Sequence, residues 1–138
     1  MDSRWIDLPA AGGAASAQFS GYLSLPPSGR GPGIVLVQEI WGVNEHIRAV
    51  ADQYAADGYV VLAPDVFWRL EHRVDLAYDA EGTAKARALL QAVDTAQAVD
   101  DLAGAADCLR RLPAASGKVA AIGTLEEVAV GLAGPEAA

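Results

Sequence analysis

Two short apolar runs, Ile34-Val35-Leu36-Val37 and Tyr59-Val60-Val61-Leu62-Ala63, flank a single amphipathic stretch, and this spacing constrains the fold more than any other feature. A continuous run rich in β-branched residues has no polar side, so it suits a strand covered on both faces, as in a parallel sheet. Between the runs Asn44 is a good N-cap with Glu45 in the first turn. Ile47, Val50, Ala51, Tyr54 and Ala55 then recur at helical spacing until Gly58 supplies a C-terminal stop. Residues 34 to 63 therefore predict a strand–helix–strand unit with a right-handed crossover and parallel pairing. The first of its two strands is expected at the centre of the sheet.

The flanking sequence extends this unit. Phe19 to Leu25 alternates apolar with small or polar residues, the period of a half-buried strand, and Trp5 to Leu8 can pair with it across the Gly/Ala-rich stretch Ala10 to Ala15. After a loop from Val66 to about Asp79, Thr83 to Val93 reads as a helix. Asp94, with Gln97 three residues on, caps a further helix that is expected to bury Val99, Leu102, Ala106 and Leu109 before Pro113 ends it. Gly117-Lys118 leads into a last strand, Val119 to Ile122. The expectation is an α/β chain forming one domain over residues 1–138, with an incomplete, mostly parallel sheet, flanking helices and an antiparallel N-terminal hairpin.

Composition narrows the partners. Among 138 residues, 18 are acidic and 10 basic, a formal charge of -8 that disfavours nucleic acid and anionic membrane, since phosphate contact is largely the work of Lys and Arg. The single cysteine, Cys108, cannot form an internal disulfide, and Met1 to Trp5 carries no basic flank followed by an apolar run. No apolar segment reaches the ~20 residues that span a bilayer. These features lead to the expectation of a cytoplasmic protein that binds a small neutral or polar ligand. No metal is expected: Glu39, Glu45, His46, Asp65 and His72 include hard ligands but show no spacing such as His-Glu-x-x-His, and no cofactor is expected either. The glycines of Gly29 to Gly33 precede a strand instead of following one, the wrong order for a phosphate loop.

The chemistry concentrates where the first apolar run ends. Gln38-Glu39-Ile40-Trp41-Gly42-Val43-Asn44 places a carboxylate, an aromatic ring, a glycine and a helix cap at a strand end, and ligands of open α/β sheets gather at such ends. This motif, together with Asp57 to Asp65, Ala98 to Leu102 and Gly117 to Gly123, resembles the N-terminal half of the dienelactone hydrolase family, over roughly residues 17 to 123. The resemblance implies a three-layer α/β-hydrolase-like fold acting on a small lactone or ester carbonyl. It implies that Glu39 sits beside a nucleophilic thiol and that the Ile40 N–H helps to form the oxyanion hole. A carboxylate next to a thiol can take its proton and leave the attacking thiolate. A fixed N–H aimed at the developing oxyanion is worth roughly 3 kcal/mol of barrier.

The departures from that pattern are equally specific. The family sets its nucleophile on a tight strand-to-helix turn, and at that place this chain has Leu125, which cannot attack a carbonyl, followed by Glu126 and Glu127. As local structure, Thr124-x-x-Glu127 reads as a capping box opening a short helix through Val128, Val130 and Leu132, so residues 124–138 form a divergent tail. The family's aspartate and histidine are expected beyond residue 138. Thr83 occupies a place where the family carries a substrate-binding arginine; Lys85 and Arg87 are nearby stand-ins, with solvated cations on an amphipathic helix as the alternative. Trp41 and Trp68 follow strand ends and either line a pocket or pack in the core. His46 and His72 read as surface or satisfied histidines, and Cys108 as a core or half-buried residue inside a helix.

Two functions remain open at this point. One is a dienelactone hydrolase-type esterase, truncated before its triad is complete and inactive alone. The other is a non-catalytic relative that binds a ligand, or that pairs its open sheet edge with a second copy or another chain.

Overall fold

The structure is a computed structural model and describes residues 2–10 and 18–123. Among the described residues five strands and three helices follow in the order β1 (Asp2–Pro9), β2 (Gln18–Leu25), β3 (Gly31–Val37), α1 (Glu45–Ala56), β4 (Val60–Pro64), α2 (Ala80–Ala92), α3 (Thr95–Arg111) and β5 (Ala115–Gly123). The sheet order is β1-β2-β4-β3-β5. β1 pairs antiparallel with β2, Trp5 opposite Tyr22, and β2 antiparallel with β4. β3 runs parallel to β4 on one side and to β5 on the other, so the strand expected at the centre is flanked on both edges. The expected hairpin is present as a strand pair, while most of the stretch expected to join its strands lies outside the described residues.

The expected two-sided burial of β3 is what divides the core. Val35 and Val37 face one cluster with Leu62, Leu102, Ala105 and Leu109, beneath α3. Ile34 and Leu36 face the other with Ile47, Ala51 and Ala55 of α1. α1 and α3 are thus each held by a stripe of small and branched residues at i, i+3 or i, i+4 spacing pressed against one face of the sheet. α1 is further tied to the hairpin by Asp52, whose carboxylate accepts from Ser3 Oγ at 2.7 Å, Ser24 Oγ at 2.8 Å and Tyr22 Oη at 3.1 Å.

Two boundaries and one burial pattern differ from the sequence reading in ways that have a local cause. α2 begins at Ala80, not Thr83, because Asp79 is its N-cap and accepts from Gly82 N at 2.7 Å. β5 begins at Ala115 instead of Val119: Gly117, at φ +95, lets the strand pass through a register shift opposite Gly31 and Gly33 without ending there. On α3 the fully buried position is Ala98 and not Val99, which is partly buried, and Asp101 is buried beside Leu102. Cys108 is half-buried against the core, as expected. Among the described residues no helix is long and apolar enough to cross a membrane.

Candidate active site at the end of β3

β3 ends at Val37 and the chain turns at once. Gln38 is fully buried; its Oε1 accepts from Val66 N at 2.8 Å, and its Nε2 donates to the Glu39 carbonyl at 3.2 Å. The side chain therefore bridges the carboxyl ends of β3 and β4 and fixes where the turn starts. Residues 39–42 form that turn, closed by Gly42 N donating to the Glu39 carbonyl at 3.1 Å. Gly42 has φ +89, and a Cβ there would lie 1.9 Å from the Val74 carbonyl oxygen, so only glycine fits against the incoming loop.

The turn presents Glu39 partly exposed, its carboxylate 4.0 Å from His46 Nε2. Among the described residues the Ile40 N–H has no acceptor. The Trp41 indole donates to Thr83 Oγ1 at 3.2 Å, while its carbonyl accepts from Leu76 N at 3.0 Å. Tyr78 lies edge-to-face with Trp41 at 4.7 Å between centroids, and its hydroxyl accepts from Asn44 Nδ2 at 3.1 Å. Asn44 also caps α1, its Oδ1 accepting from Ile47 N at 3.0 Å. One asparagine thus anchors both the helix and the loop that carries Tyr78.

A second buried network holds the loop that follows β4. Asp65, at the strand end, accepts from Phe67 N at 3.2 Å and Arg73 N at 2.6 Å. Asp101 of α3 accepts from Trp68 Nε1 at 2.9 Å and from Arg69 Nε at 3.1 Å and Nη2 at 3.0 Å. Trp68 stacks on Phe19 at 5.3 Å, so of the two rings placed after strand ends Trp41 reaches the site and Trp68 packs on the core.

Burial pushes the Asp65 carboxyl above the usual carboxylate range, against the opposing pull of the Arg73 and Phe67 N–H groups and of nearby His72 and Arg73. A raised folded pKa stabilises the fold below the unfolded value, about 3.9, and that contribution is lost as pH rises through the folded value. Asp65→Asn removes the titration. Urea unfolding from about pH 3.5 to about pH 7 should show the wild-type-minus-variant stability falling across this window and flat above it. A difference that rises with pH instead would contradict the assignment.

The structure gathers Glu39, Ile40 and Trp41 at one strand end and sorts the remaining candidates. Lys85 pairs with Glu71 at 3.0 Å, and Arg87 is exposed one helical turn beyond Thr83. His72 is exposed, 6.0 Å from the Trp68 ring, and His46 joins Glu39. Sequence reasoning missed Tyr78, which reaches the site from a loop 34 residues after Asn44. It also missed His46 as the neighbour of Glu39; the available signal was its place in the first turn of a helix that starts above the strand end. Leu125 and the capping box Thr124 to Glu127 lie outside the described residues.

Sheet order, the parallel β4-β3-β5 core and a carboxylate-bearing turn after β3 make this an α/β-hydrolase fold. Residues 19–124 match the dienelactone hydrolase family, and the chain belongs to it. It is 30% identical over 110 residues to carboxymethylenebutenolidase 1 of Cupriavidus pinatubonensis, covering 79% of this chain and 47% of that one. It is 32% identical over 106 residues to the carboxymethylenebutenolidase of Pseudomonas putida, covering 76% and 45%. A crystal structure from Klebsiella pneumoniae assigned as a dienelactone hydrolase superposes with a TM-score of 0.71 at 26% identity, over 88% of this chain and 49% of that one. The solved structure of m3DLH gives 0.67 at 29% identity, over 96% and 53%. The chain thus spans less than half the length of these two curated relatives and about half that of these solved structures.

Proposed function

We propose that this chain supplies the carboxylate and oxyanion-hole half of a hydrolase acting on a small lactone or ester carbonyl. The observation that supports the reading is the turn after β3, where Glu39, its carboxylate 4.0 Å from His46 Nε2, is followed by an Ile40 N–H with no acceptor among the described residues, at the carboxyl ends of the parallel strands β4, β3 and β5. In this scheme Glu39 takes the proton of an attacking group and the Ile40 N–H holds the developing oxyanion. As the oxyanion collapses, the ester or lactone C–O bond breaks and the leaving alkoxide takes the proton held by Glu39; water then hydrolyses the acyl-enzyme so formed. Trp41 lines the acyl side, with Thr83 fixing its ring. The unchanged 138-residue chain is expected to give no turnover, since Leu125 bears no nucleophilic atom.

The test installs one. In a Cys108→Ala background, Leu125→Cys is mixed with an activated aryl ester and a small enol-lactone. The expected result is a burst of acylation that Glu39→Gln reduces by about 10²-fold or more. Bursts of equal size with and without the Glu39→Gln change would remove Glu39 from the chemistry. Esterase turnover by the unaltered chain, insensitive to Glu39→Gln, would do the same. Ligand binding at the strand end with no burst in any variant would favour the non-catalytic alternative.

A further inference from the structure

Beside the Glu39 turn lies an open depression lined by Asn44, Glu45, His46, Asp75, Leu76 and Tyr78. Tyr78 forms its aromatic wall: Trp41 backs it at 4.7 Å and the His46 ring lies 6.3 Å away. Although Asn44 and Trp41 hold it, Tyr78 is still 56% exposed, an unusual exposure for a ring fixed by a hydrogen bond and an edge-to-face contact. A second depression adjoins the first through Asp75, Leu76 and Ala77, and adds Asp79, Glu81 and Lys85.

The charges around this wall have one dominant sign. Glu45, Asp75, Asp79 and Glu81 line the two depressions. Lys85, which lines the second, pairs with Glu71 at 3.0 Å, and Asp75 is partly offset by Arg48 at 3.2 Å, which leaves Glu45 and Glu81, with the N-cap Asp79, as the excess negative charge. A helix N-terminus ordinarily attracts anions, but at α1 the Asn44 side chain occupies the Ile47 N–H and Glu45 adds a carboxylate in the first turn. An anionic ligand would meet like charge there, since the one lysine or arginine among the described lining residues, Lys85, is already paired. An organic cation would meet carboxylates and an aromatic ring together.

We propose that the Tyr78 wall is a binding subsite for an organic ammonium group, placing an ammonium-bearing ester or lactone, and not a carboxylate-bearing one, at the strand end. The substrate assignment rests on the hydrolase reading, whereas the ammonium preference does not. The ammonium head lies against Tyr78 with Glu45 and Asp75 in the same lining, and added salt weakens it by screening these partly exposed charges.

The test uses the intact chain and three probes of matched size: benzyltrimethylammonium, benzyl alcohol and phenylacetate. Binding is followed through the NMR shifts of the Tyr78, His46 and Trp41 rings. The expected order is ammonium, then alcohol, then carboxylate, with the ammonium advantage shrinking at high salt. Tyr78→Leu should weaken benzyltrimethylammonium about two- to five-fold. The double change Glu45→Gln with Asp75→Asn should bring the ammonium close to the alcohol. Phenylacetate binding as well as the ammonium, or an ammonium preference untouched by both variants, would overturn the proposal. Since these are binding readouts, the preference can hold while the acylation burst fails, and the reverse, so the two readings fail separately.

Discussion

Gly42→Ala will cost about 3 kcal/mol or more of unfolding free energy, measured by urea denaturation, whereas Gly29→Ala will cost about 1 kcal/mol. Both glycines sit in the left-handed region, at φ +89 and +77. Around Gly29 a new Cβ meets nothing within 4 Å, so only the backbone strain is felt. At Gly42 the same atom would fall 1.9 Å from the Val74 carbonyl oxygen, and backbone cannot swing aside as a flexible side chain does. The turn must reopen or the 74–78 loop must retreat, and either movement displaces Glu39 and Tyr78. Equal costs for the two substitutions would show that the loop yields freely and that the turn is not held by close approach.

Asp101→Ala is the second large effect, at about 2–3 kcal/mol. The Asp101 carboxylate is almost fully buried and accepts hydrogen bonds from the Trp68 indole and from Nε and Nη2 of the Arg69 fork. Its removal takes the acceptor from the Trp68 indole N–H and the Asp101 carboxylate from the Arg69 guanidinium, which lies over the Trp68 ring at 4.4 Å. The figure is kept below that for a wholly buried pair because the Arg69 side chain retains about a third of its exposure and stays hydrated. Asp101→Asn should cost less, since it preserves shape and one acceptor. A double-mutant cycle with Arg69→Ala separates the ion pair from the indole bond, and additive losses would show that the pair contributes nothing of its own.

The fold was legible where local chemistry and burial agree. Asn44 and Gly58 bracket α1 because a cap and a stop act within a few residues, and Ile34 to Val37 announces a strand with no wet face. It was illegible where a long-range contact decides. Asp79 starts α2 without the Glu or Gln that completes a capping box, and Glu81-Gly82 reads as loop in isolation. Gly117 reads as a turn, yet pairing with β3 carries β5 through it. The candidate site divides in the same way: Glu39 and Trp41 stand in one contiguous motif, whereas Tyr78 arrives through a hydrogen bond to Asn44 that no spacing rule encodes.

The two-sided burial of β3 has a consequence for how the strand finds its place. In a half-wet strand a slip of one residue turns the apolar side outward and is rejected at once. Here the slip would exchange Val35 and Val37 with Ile34 and Leu36, side chains of similar size facing two equally dry surfaces. Greasiness alone would hardly object. What objects is Gln38, which in the wrong frame would carry its amide into hydrocarbon and leave the Val66 N–H without its acceptor. A single polar side chain thus serves as the index mark of the sheet, and the frame it enforces is the one that brings Glu39 to the rim.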